Sequence, residues 1–255
     1  MSRESYDQIA AVYATDMGQS MACDDVGYYR QLCHERGGHS LELGCGTGRI
    51  LLPLLNSGLD ISGIDQSPGM LMELRRLAAE LQLNPDVGLG SLTDFYSAKT
   101  CKTILAPYSV VTYLTQPAML DAFFTRAGTA LTSDGMLVID TFIPRELTSF
   151  SEFRLDYRRP HEGGTLQREK RIQKIDHCNR IERRYTLLDQ AGQLQRTWMT
   201  EDLIRPWTEA ELLNAAREHD FMLVEKVFDF SAAPSSNPQF VVLHLQKQKT
   251  ELISE

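Results

Sequence analysis

Between residues 39 and 142, short apolar runs alternate with segments whose apolar residues recur at helical spacing. The apolar runs predict strands at residues 40–44, 60–65, 86–90, 103–107 and 135–142. The intervals predict helices at residues 49–57, 68–83 and 117–131. Ser67 before Pro68 is typical of a helix start, because serine caps free backbone N–H groups and proline fits the first helical turn. This alternation predicts a doubly wound α/β core, a parallel sheet with helices on both faces.

The pattern changes near residue 148. Over residues 163–206 many positions alternate between apolar and polar one by one. The alternation is interrupted by the pair Gly163 and Gly164 and again at residues 189–192. A period of two with such interruptions predicts antiparallel hairpins. We therefore expect a small antiparallel sheet inserted into the α/β core.

After the hairpins the helical pattern returns. Thr208 with Glu211 three residues later forms a capping-box pattern and predicts a helix start. Two further strands follow, FMLVEKVFDF and QFVVLHLQK, and return the chain to the main sheet. The expected organisation is a core of residues 1–147 and 207–255 with a lid of residues 148–206.

The clearest chemical signal is E-L-G-C-G-T-G at residues 42–48, where the first strand turns into the first helix. Glycines there permit positive φ angles and let backbone N–H groups approach a ligand. The spacing G-x-G-x-G differs from the dinucleotide pattern G-x-G-x-x-G, and no Gly-Lys-Ser/Thr follows. A nicotinamide oxidoreductase and a phosphate-binding P-loop are therefore both disfavoured.

Asp65 ends the second predicted strand. A carboxylate at that position can accept hydrogen bonds from both hydroxyls of a ribose. The alternative is that Asp65 only begins a turn and caps the next helix. Beside the glycine-rich turn, the nucleoside role is favoured.

The segments E-L-G-C-G-T-G-R and G-I-D-Q-S-P-G-M-L resemble motif I and the acidic loop of class I S-adenosylmethionine-dependent methyltransferases. The resemblance implies a Rossmann-like core with a seven-stranded, mostly parallel sheet, and S-adenosylmethionine as cofactor. Gly44 and Gly46 would approach its methionine portion, and Asp65 would hold the ribose. For Met70 an ordinary core position is the open alternative. The cofactor contacts implied by these two segments are Glu42, Gly44, Cys45, Gly46, Asp65, Gln66 and Met70.

A third segment, G-L-G-S-L-T-D-F at residues 88–95, resembles the family motif whose aspartate receives the adenine amino group. Ser91 takes that place here, and its hydroxyl can still accept a hydrogen bond, without charge assistance. We expect Ser91 and the backbone of Leu92 at the adenine. By the same resemblance, Ala106 lies beside the sulfonium.

The segments S-Y-D-Q-I-A-A-V-Y and Y-Y-R-Q resemble the branch that dimethylates nucleotide-linked amino sugars. The resemblance places Tyr13 at the reaction centre, with Tyr29 and Arg30 at the cofactor carboxylate or the acceptor. The alternative for Tyr13 is packing of an amphipathic helix. Where that branch has a histidine near the reacting amine, this chain has Tyr113. An unperturbed tyrosine is a poor base, so the predicted role of Tyr113 is to orient the acceptor.

The acceptor pocket is expected at Tyr108 and where the insertion re-enters the core. Trp198, Arg205 and Trp207 are its candidates there. Nine cations between residues 158 and 184 either attract an anionic acceptor or form the solvated face of a sheet, and the solvated face is favoured. These cations are Arg158, Arg159, Arg168, Lys170, Arg171, Lys174, Arg180, Arg183 and Arg184.

The expected function is methyl transfer from S-adenosylmethionine to a nitrogen or oxygen of a small molecule, by alignment rather than strong base catalysis. The alternatives are a protein that remodels the cofactor and a non-catalytic regulator. A net charge of −8 argues against nucleic acid as partner. No apolar run of about 18 residues exists, so no membrane span is predicted. Five scattered cysteines without a C-x-x-C pair favour reduced thiols in a cytoplasm and no metal site. A homodimer is a further expectation.

Overall fold

The structure is a computed structural model that describes residues 3–17, 23–144, 149–233 and 236–248. Its helices are α1 (Arg3–Met17), α2 (Asp25–Arg36), α3 (Leu51–Asn56), α4 (Pro68–Glu80), α5 (Pro117–Ala130) and α6 (Glu209–Glu218), with one 3₁₀ turn at Val110–Tyr113. The strands are β1 (Ser40–Leu43), β2 (Ile61–Asp65), β3 (Asp86–Leu89), β4 (Cys101–Ala106), β5 (Leu131–Phe142), β6 (Phe150–His161), β7 (Gly164–Ile175), β8 (Cys178–Leu188), β9 (Leu194–Ile204), β10 (Phe221–Phe228) and β11 (Phe240–Lys247).

Seven strands form one sheet in the order β10-β11-β5-β4-β1-β2-β3. The pairs from β5 to β3 are parallel, and β11 runs antiparallel to both of its neighbours. The prediction of a seven-stranded, mostly parallel sheet is confirmed. The chain leaves β1 toward β2 on one side and returns through β4 on the other. A crevice therefore forms at the carboxyl ends of β1 and β4, where such sheets bind ligands.

Helices cover both faces of this sheet, as the doubly wound prediction requires. On one face α2, α3 and α4 contribute buried side chains such as Tyr29, Leu51 and Leu74. On the other face α5 and α6 contribute Phe123 and Leu212. The apolar residues of the predicted helices thus form two separate cores, one on each side of the strands.

Helix ends follow the local sequence closely. The hydroxyl of Ser67 accepts a hydrogen bond from Met70 N at 3.1 Å, and Thr208 and Glu211 form the predicted capping box. The prediction for α4 ran three residues too far. The helix ends at Glu80, and Gln82 two residues later adopts a positive φ of 56°.

Strands β6 to β9 form a separate antiparallel sheet, here called the lid sheet. It lies within the predicted insertion 148–206. The predicted boundary at residues 147 and 148 lies outside the described residues. The exact division of the chain into core and lid therefore remains a prediction.

Helix α1 contacts both the α/β core and the lid sheet. It packs on α4 of the core and on β9 and β6 of the lid sheet. Ile9 and Val12 form an apolar cluster with Met70 of the core and Leu166 of the lid sheet. Within the described part of the chain, no helix is both long and apolar enough to cross a membrane.

Candidate active site

The glycine-rich turn that follows β1 is built for close backbone contacts. Gly44 has a φ of +74°, and a Cβ at this position would lie 3.0 Å from Val110 Cγ1. Gly48 has a φ of +87°, and a Cβ there would meet Leu52 Cγ at 2.7 Å. Both the conformation and the lack of space require glycine. The turn is closed by Gly44 N, which donates to Ile64 O at 2.8 Å.

Asp65 lies at the end of β2 beside this turn. Its Oδ2 accepts a hydrogen bond from Gly46 N at 2.9 Å, and its Oδ1 accepts one from Ser67 N at 2.8 Å. The side chain is 4% exposed. Burial raises the pKa of Asp65, although the backbone donors oppose this shift. Asp65 therefore links the glycine turn to the start of α4 and also faces two cavities.

The first cavity has a volume of about 160 Å³ and lies on the β3 side of Asp65. Gln66, Ser91 and Leu92 line it, the three residues for which the sequence predicts contacts with an adenosine. The hydroxyl of Ser91 accepts a hydrogen bond from Asp94 N at 3.0 Å, so it also shapes the local turn. This cavity is largely apolar, since Ile64, Leu92 and Leu114 are among its lining residues.

The second cavity, here called the cleft, has a volume of about 260 Å³. It extends from the glycine turn to the lid sheet, and Glu42, Cys45 and Gly46 line its core end. Glu42 is buried, and its Oε2 has no hydrogen-bond partner among the described residues. Burial raises the pKa of Glu42 to about 8. Glu42 Oε2 is therefore available to accept a hydrogen bond from a bound molecule.

Tyrosines form one wall of the cleft. Tyr6 and Tyr13 come from α1, and Tyr113 ends the 3₁₀ turn. The hydroxyl oxygens of Tyr6 and Tyr113 lie 2.5 Å apart. Burial raises the pKa of all three side chains. They remain neutral near neutral pH and can orient a ligand, but they are poor bases.

Tyr108 lies at the cleft on a turn with unusual backbone angles. Tyr108 and Ser109 have positive φ values of 55° and 57°. Their N–H groups donate to the two oxygens of Asp140 at 2.7 and 2.8 Å. The hydroxyl of Tyr29 donates to Asp140 Oδ2 at 2.6 Å. Burial raises the pKa of Asp140 to about 6.

The lid sheet turns a charged face toward the cleft. Arg168, Lys170 and Arg183 line it, although the sequence favoured a solvated role for these cations. Arg171 and Arg184, in contrast, pair with glutamates of the lid sheet and do not line the cleft. The alternation of side chains between the two faces of a strand could have separated the cations that line the cleft from those that do not. In β7 it places residues 168, 170 and 172 on one face.

Sequence reasoning missed three carboxylates at the lid end of the cleft. Asp16, Asp156 and Asp202 line it, and each pairs with a lid cation. They come from α1, β6 and β9, which are distant in sequence. Their proximity follows only from how α1 and the lid sheet pack together.

The structure places several predicted residues elsewhere. Tyr29 is fully buried with its hydroxyl on Asp140, so it supports the turn but does not line the cleft. Arg30 is exposed on α2 and lines a different cavity together with Asp24, and it does not line the cleft. Met70 packs into the apolar cluster with α1, which is the core alternative. Ala106 is buried in the sheet core, and its neighbour Pro107 lines the cleft instead.

The predicted acceptor residues near the end of the lid also differ. Trp207 is 3% exposed, and its Nε1 donates to Leu114 O at 2.8 Å in the core. Arg205 lies over the ring of Trp207 and pairs with Glu211. Trp198 stacks on Tyr185 at a centroid distance of 5.3 Å, and of these two residues only Tyr185 lines the cleft. None of the three lines the cleft, because each is engaged in contacts elsewhere.

Comparison with known proteins agrees with this geometry. Residues 41–135 match the methyltransferase domain family. The chain is 27% identical over 122 residues to a ubiquinone biosynthesis O-methyltransferase of Azorhizobium caulinodans, covering 48% of this chain and 47% of that protein. The chain matches less than half of the length of its curated relatives.

Solved structures match over nearly the full length. The CcbJ methyltransferase of Streptomyces caelestis has a TM-score of 0.79 at 20% identity, covering 97% of this chain and all of that one. The sugar N-methyltransferase KedS8 of Streptoalloteichus sp. has a TM-score of 0.73 at 21% identity, covering 93% and 92%. The fold is that of the class I methyltransferases. These likenesses show the fold, and the match to the methyltransferase domain family is confined to residues 41–135.

Proposed function

We propose that this chain binds S-adenosylmethionine and transfers its methyl group to a nitrogen of a small molecule, with oxygen as the second choice. The observation that carries the proposal is the position of Asp65 between the glycine turn and two adjoining cavities. One cavity suits an adenosine, and the other leads to the lid sheet. The cofactor supplies a methyl group that its sulfonium has already activated.

The polar groups of the site fit that cofactor. Asp65 has a carboxylate for the ribose hydroxyls, and the cavity beside Ser91 and Leu92 suits the adenine. The free Oε2 of Glu42 provides a hydrogen-bond acceptor for the ammonium of the methionine portion. Gly44 lines both cavities, so its backbone can contact the cofactor there.

The acceptor would enter the cleft between the tyrosines and the lid sheet. Tyr13, Tyr108 and Tyr113 would align it and exclude water, which is the main contribution a methyltransferase makes. None of the described residues that line the cleft is a histidine. A hydroxyl acceptor benefits from a base, whereas an amine reacts through its own lone pair once it is deprotonated. These features support nitrogen. Among the similar proteins, both an O-methyltransferase and a sugar N-methyltransferase occur.

Titration calorimetry with S-adenosylhomocysteine tests the cofactor site. We expect Asp65→Asn to weaken binding by about tenfold to hundredfold, because a charge-assisted hydrogen bond to the ribose is lost. The matched control is Asp86→Asn, which changes an exposed aspartate at the opposite end of neighbouring strand β3. Its affinity should equal that of the wild type.

Two outcomes would contradict the proposal. A folded wild-type protein that does not bind S-adenosylhomocysteine has no such cofactor site. Equal affinities of the wild type and Asp65→Asn for S-adenosylhomocysteine would show that Asp65 does not contribute to the cofactor site. If binding behaves as expected, transfer of a labelled methyl group to amines and phenols then identifies the attacking atom.

A further inference from the structure

Asp202 is a buried carboxylate at the lid end of the cleft. It lies on β9, is 2% exposed and lines the cleft. Its Oδ2 accepts a hydrogen bond from Arg183 Nη1 at 2.5 Å. Its Oδ1 is buried and has no hydrogen-bond partner among the described residues. A buried carboxylate oxygen without a donor costs free energy, so this atom is suited to a donor from a bound molecule.

The charges at this end of the cleft are balanced. Three described cations of the lid sheet line it, and so do three carboxylates, two on the same sheet and one on α1. Arg168 pairs with Asp16 and Asp156, both at 2.6 Å, and Lys170 pairs with Asp156 at 2.8 Å. Arg183 is engaged by Asp202. The cations are thus neutralised internally, and no excess of positive charge favours a phosphate.

The surroundings of Asp202 limit access of water. Ile181 is its cross-strand partner on β8, and Ile204 lies two residues further along the same face of β9. The hydroxyl pair of Tyr6 and Tyr113 belongs to the same cleft. Tyr113 also lines the adenine-side cavity, so the wall next to Asp202 continues toward the cofactor end. In such a setting a charge-assisted hydrogen bond is stronger than in water.

We propose that Asp202 Oδ1 accepts a hydrogen bond from an amino group of the methyl acceptor, so that the substrates are small amines rather than phosphorylated compounds. The inference rests on the proposed methyltransferase function. An ammonium or amine supplies the missing donor, and a protonated amine makes this hydrogen bond charge-assisted on both sides. A hydroxyl supplies only the donor, and a phosphate supplies neither.

Three probes that share a benzyl group separate these classes: benzylamine, benzyl alcohol and benzyl phosphate. Each is titrated by NMR into protein saturated with S-adenosylhomocysteine. The variants are Asp202→Asn and the matched control Glu201→Gln, the adjacent residue on β9, which is exposed on the other face. Affinity of each variant for S-adenosylhomocysteine is measured first and shows that the protein is folded.

We expect the wild type to bind benzylamine about tenfold more tightly than benzyl alcohol or benzyl phosphate. Asp202→Asn should remove this preference, whereas Glu201→Gln should keep it. A wild type that binds S-adenosylhomocysteine but shows no preference for the amine overturns the inference and leaves the methyltransferase proposal standing. Tighter binding of benzyl phosphate overturns it in favour of an anionic acceptor. A wild type that fails to bind S-adenosylhomocysteine overturns both proposals.

Discussion

Glu42 and Asp65 are buried carboxyl groups on neighbouring strands with different hydrogen-bonding states. Asp65 accepts hydrogen bonds from two backbone N–H groups, whereas Glu42 Oε2 has no partner among the described residues. The pKa of Glu42 rises to about 8, mainly through burial, and the charge of Asp65 adds to this shift. Glu42 is therefore mostly protonated at neutral pH until a ligand supplies a positive charge.

This protonation predicts a pH-dependent stability. The carboxyl of Glu42 ionises near 4.5 in the unfolded chain and near 8 in the folded one. Between these values the unfolded state releases the proton and the folded state keeps it, so the free energy of unfolding falls as the pH rises from 5 to 8. In Glu42→Gln this fall should be smaller by at least about 1 kcal/mol. Urea unfolding at both pH values, without cofactor, measures it.

A matched control is Glu152→Gln, which alters an exposed glutamate of β6. Its stability should follow the pH as the wild type does. If Glu42→Gln and the wild type lose the same free energy between pH 5 and pH 8, Glu42 is ionised in the folded protein at pH 7.

The turn between β4 and the 3₁₀ helix depends on a residue from another strand. Two successive non-glycine residues with positive φ are unfavourable for the isolated segment. Asp140 on β5 binds both of their N–H groups and orders Tyr29 as well. Ser109 Oγ accepts a hydrogen bond from Phe142 N at 3.0 Å, which joins the turn to the end of β5. The position of Tyr108 at the cleft thus follows from strand pairing.

Asp140→Ala should destabilise the protein by about 2–4 kcal/mol, because three buried donors lose their acceptor. Affinity for S-adenosylhomocysteine should also fall, since the turn that carries Tyr108 borders the site. Urea unfolding and calorimetry measure the two effects. The exposed control Asp121→Ala on α5 should change stability by less than about 0.5 kcal/mol. A variant Asp140→Ala as stable as this control would show that the turn needs no support from β5.

Helix α1 joins the core to the lid sheet. Asp7 Oδ1 accepts hydrogen bonds from Ser67 Oγ at 2.6 Å and Gly69 N at 2.7 Å, at the start of α4. On the other side, Ser5 Oγ donates to Glu201 O on β9 at 3.0 Å. The cleft lies between these two attachments, with Ile9 among its lining residues. The wall of the cleft therefore depends on α1 remaining in place.

Asp7→Ala removes the acceptor at the start of α4 and should loosen α1 from the core. We expect cleavage within α1 by thermolysin to become several-fold faster and S-adenosylhomocysteine to bind about three- to tenfold more weakly. The urea midpoint of the core should change little. Asp86→Ala serves as the control. Unchanged cleavage rates in Asp7→Ala would mean that the hydrogen bonds of Asp7 are not needed to hold α1.

Local pattern was sufficient to predict most helices and strands and the glycine turn beside Asp65. Apolar periodicity predicted the strands of the main sheet, and capping residues predicted the starts of α4 and α6. Gly44, Gly46 and Asp65 lie together as expected, because a turn after one parallel strand and the end of the next meet at the same sheet edge. Those positions depend on neighbours close in sequence.

The acceptor end of the cleft was decided by tertiary packing. Trp207 and Arg205 resembled pocket residues in sequence, yet the burial of the Trp207 ring turns it into the core. Arg183 resembled a solvated cation, yet β8 faces the cleft and pairs it with Asp202. The sequence by itself determined the fold class and brought the glycine turn and Asp65 together. Only the tertiary structure decided which carboxylate pairs with each lid cation. The reason is that ion pairing and burial depend on contacts with α1, β6 and β9, and the alternation of residues within one strand does not predict these contacts.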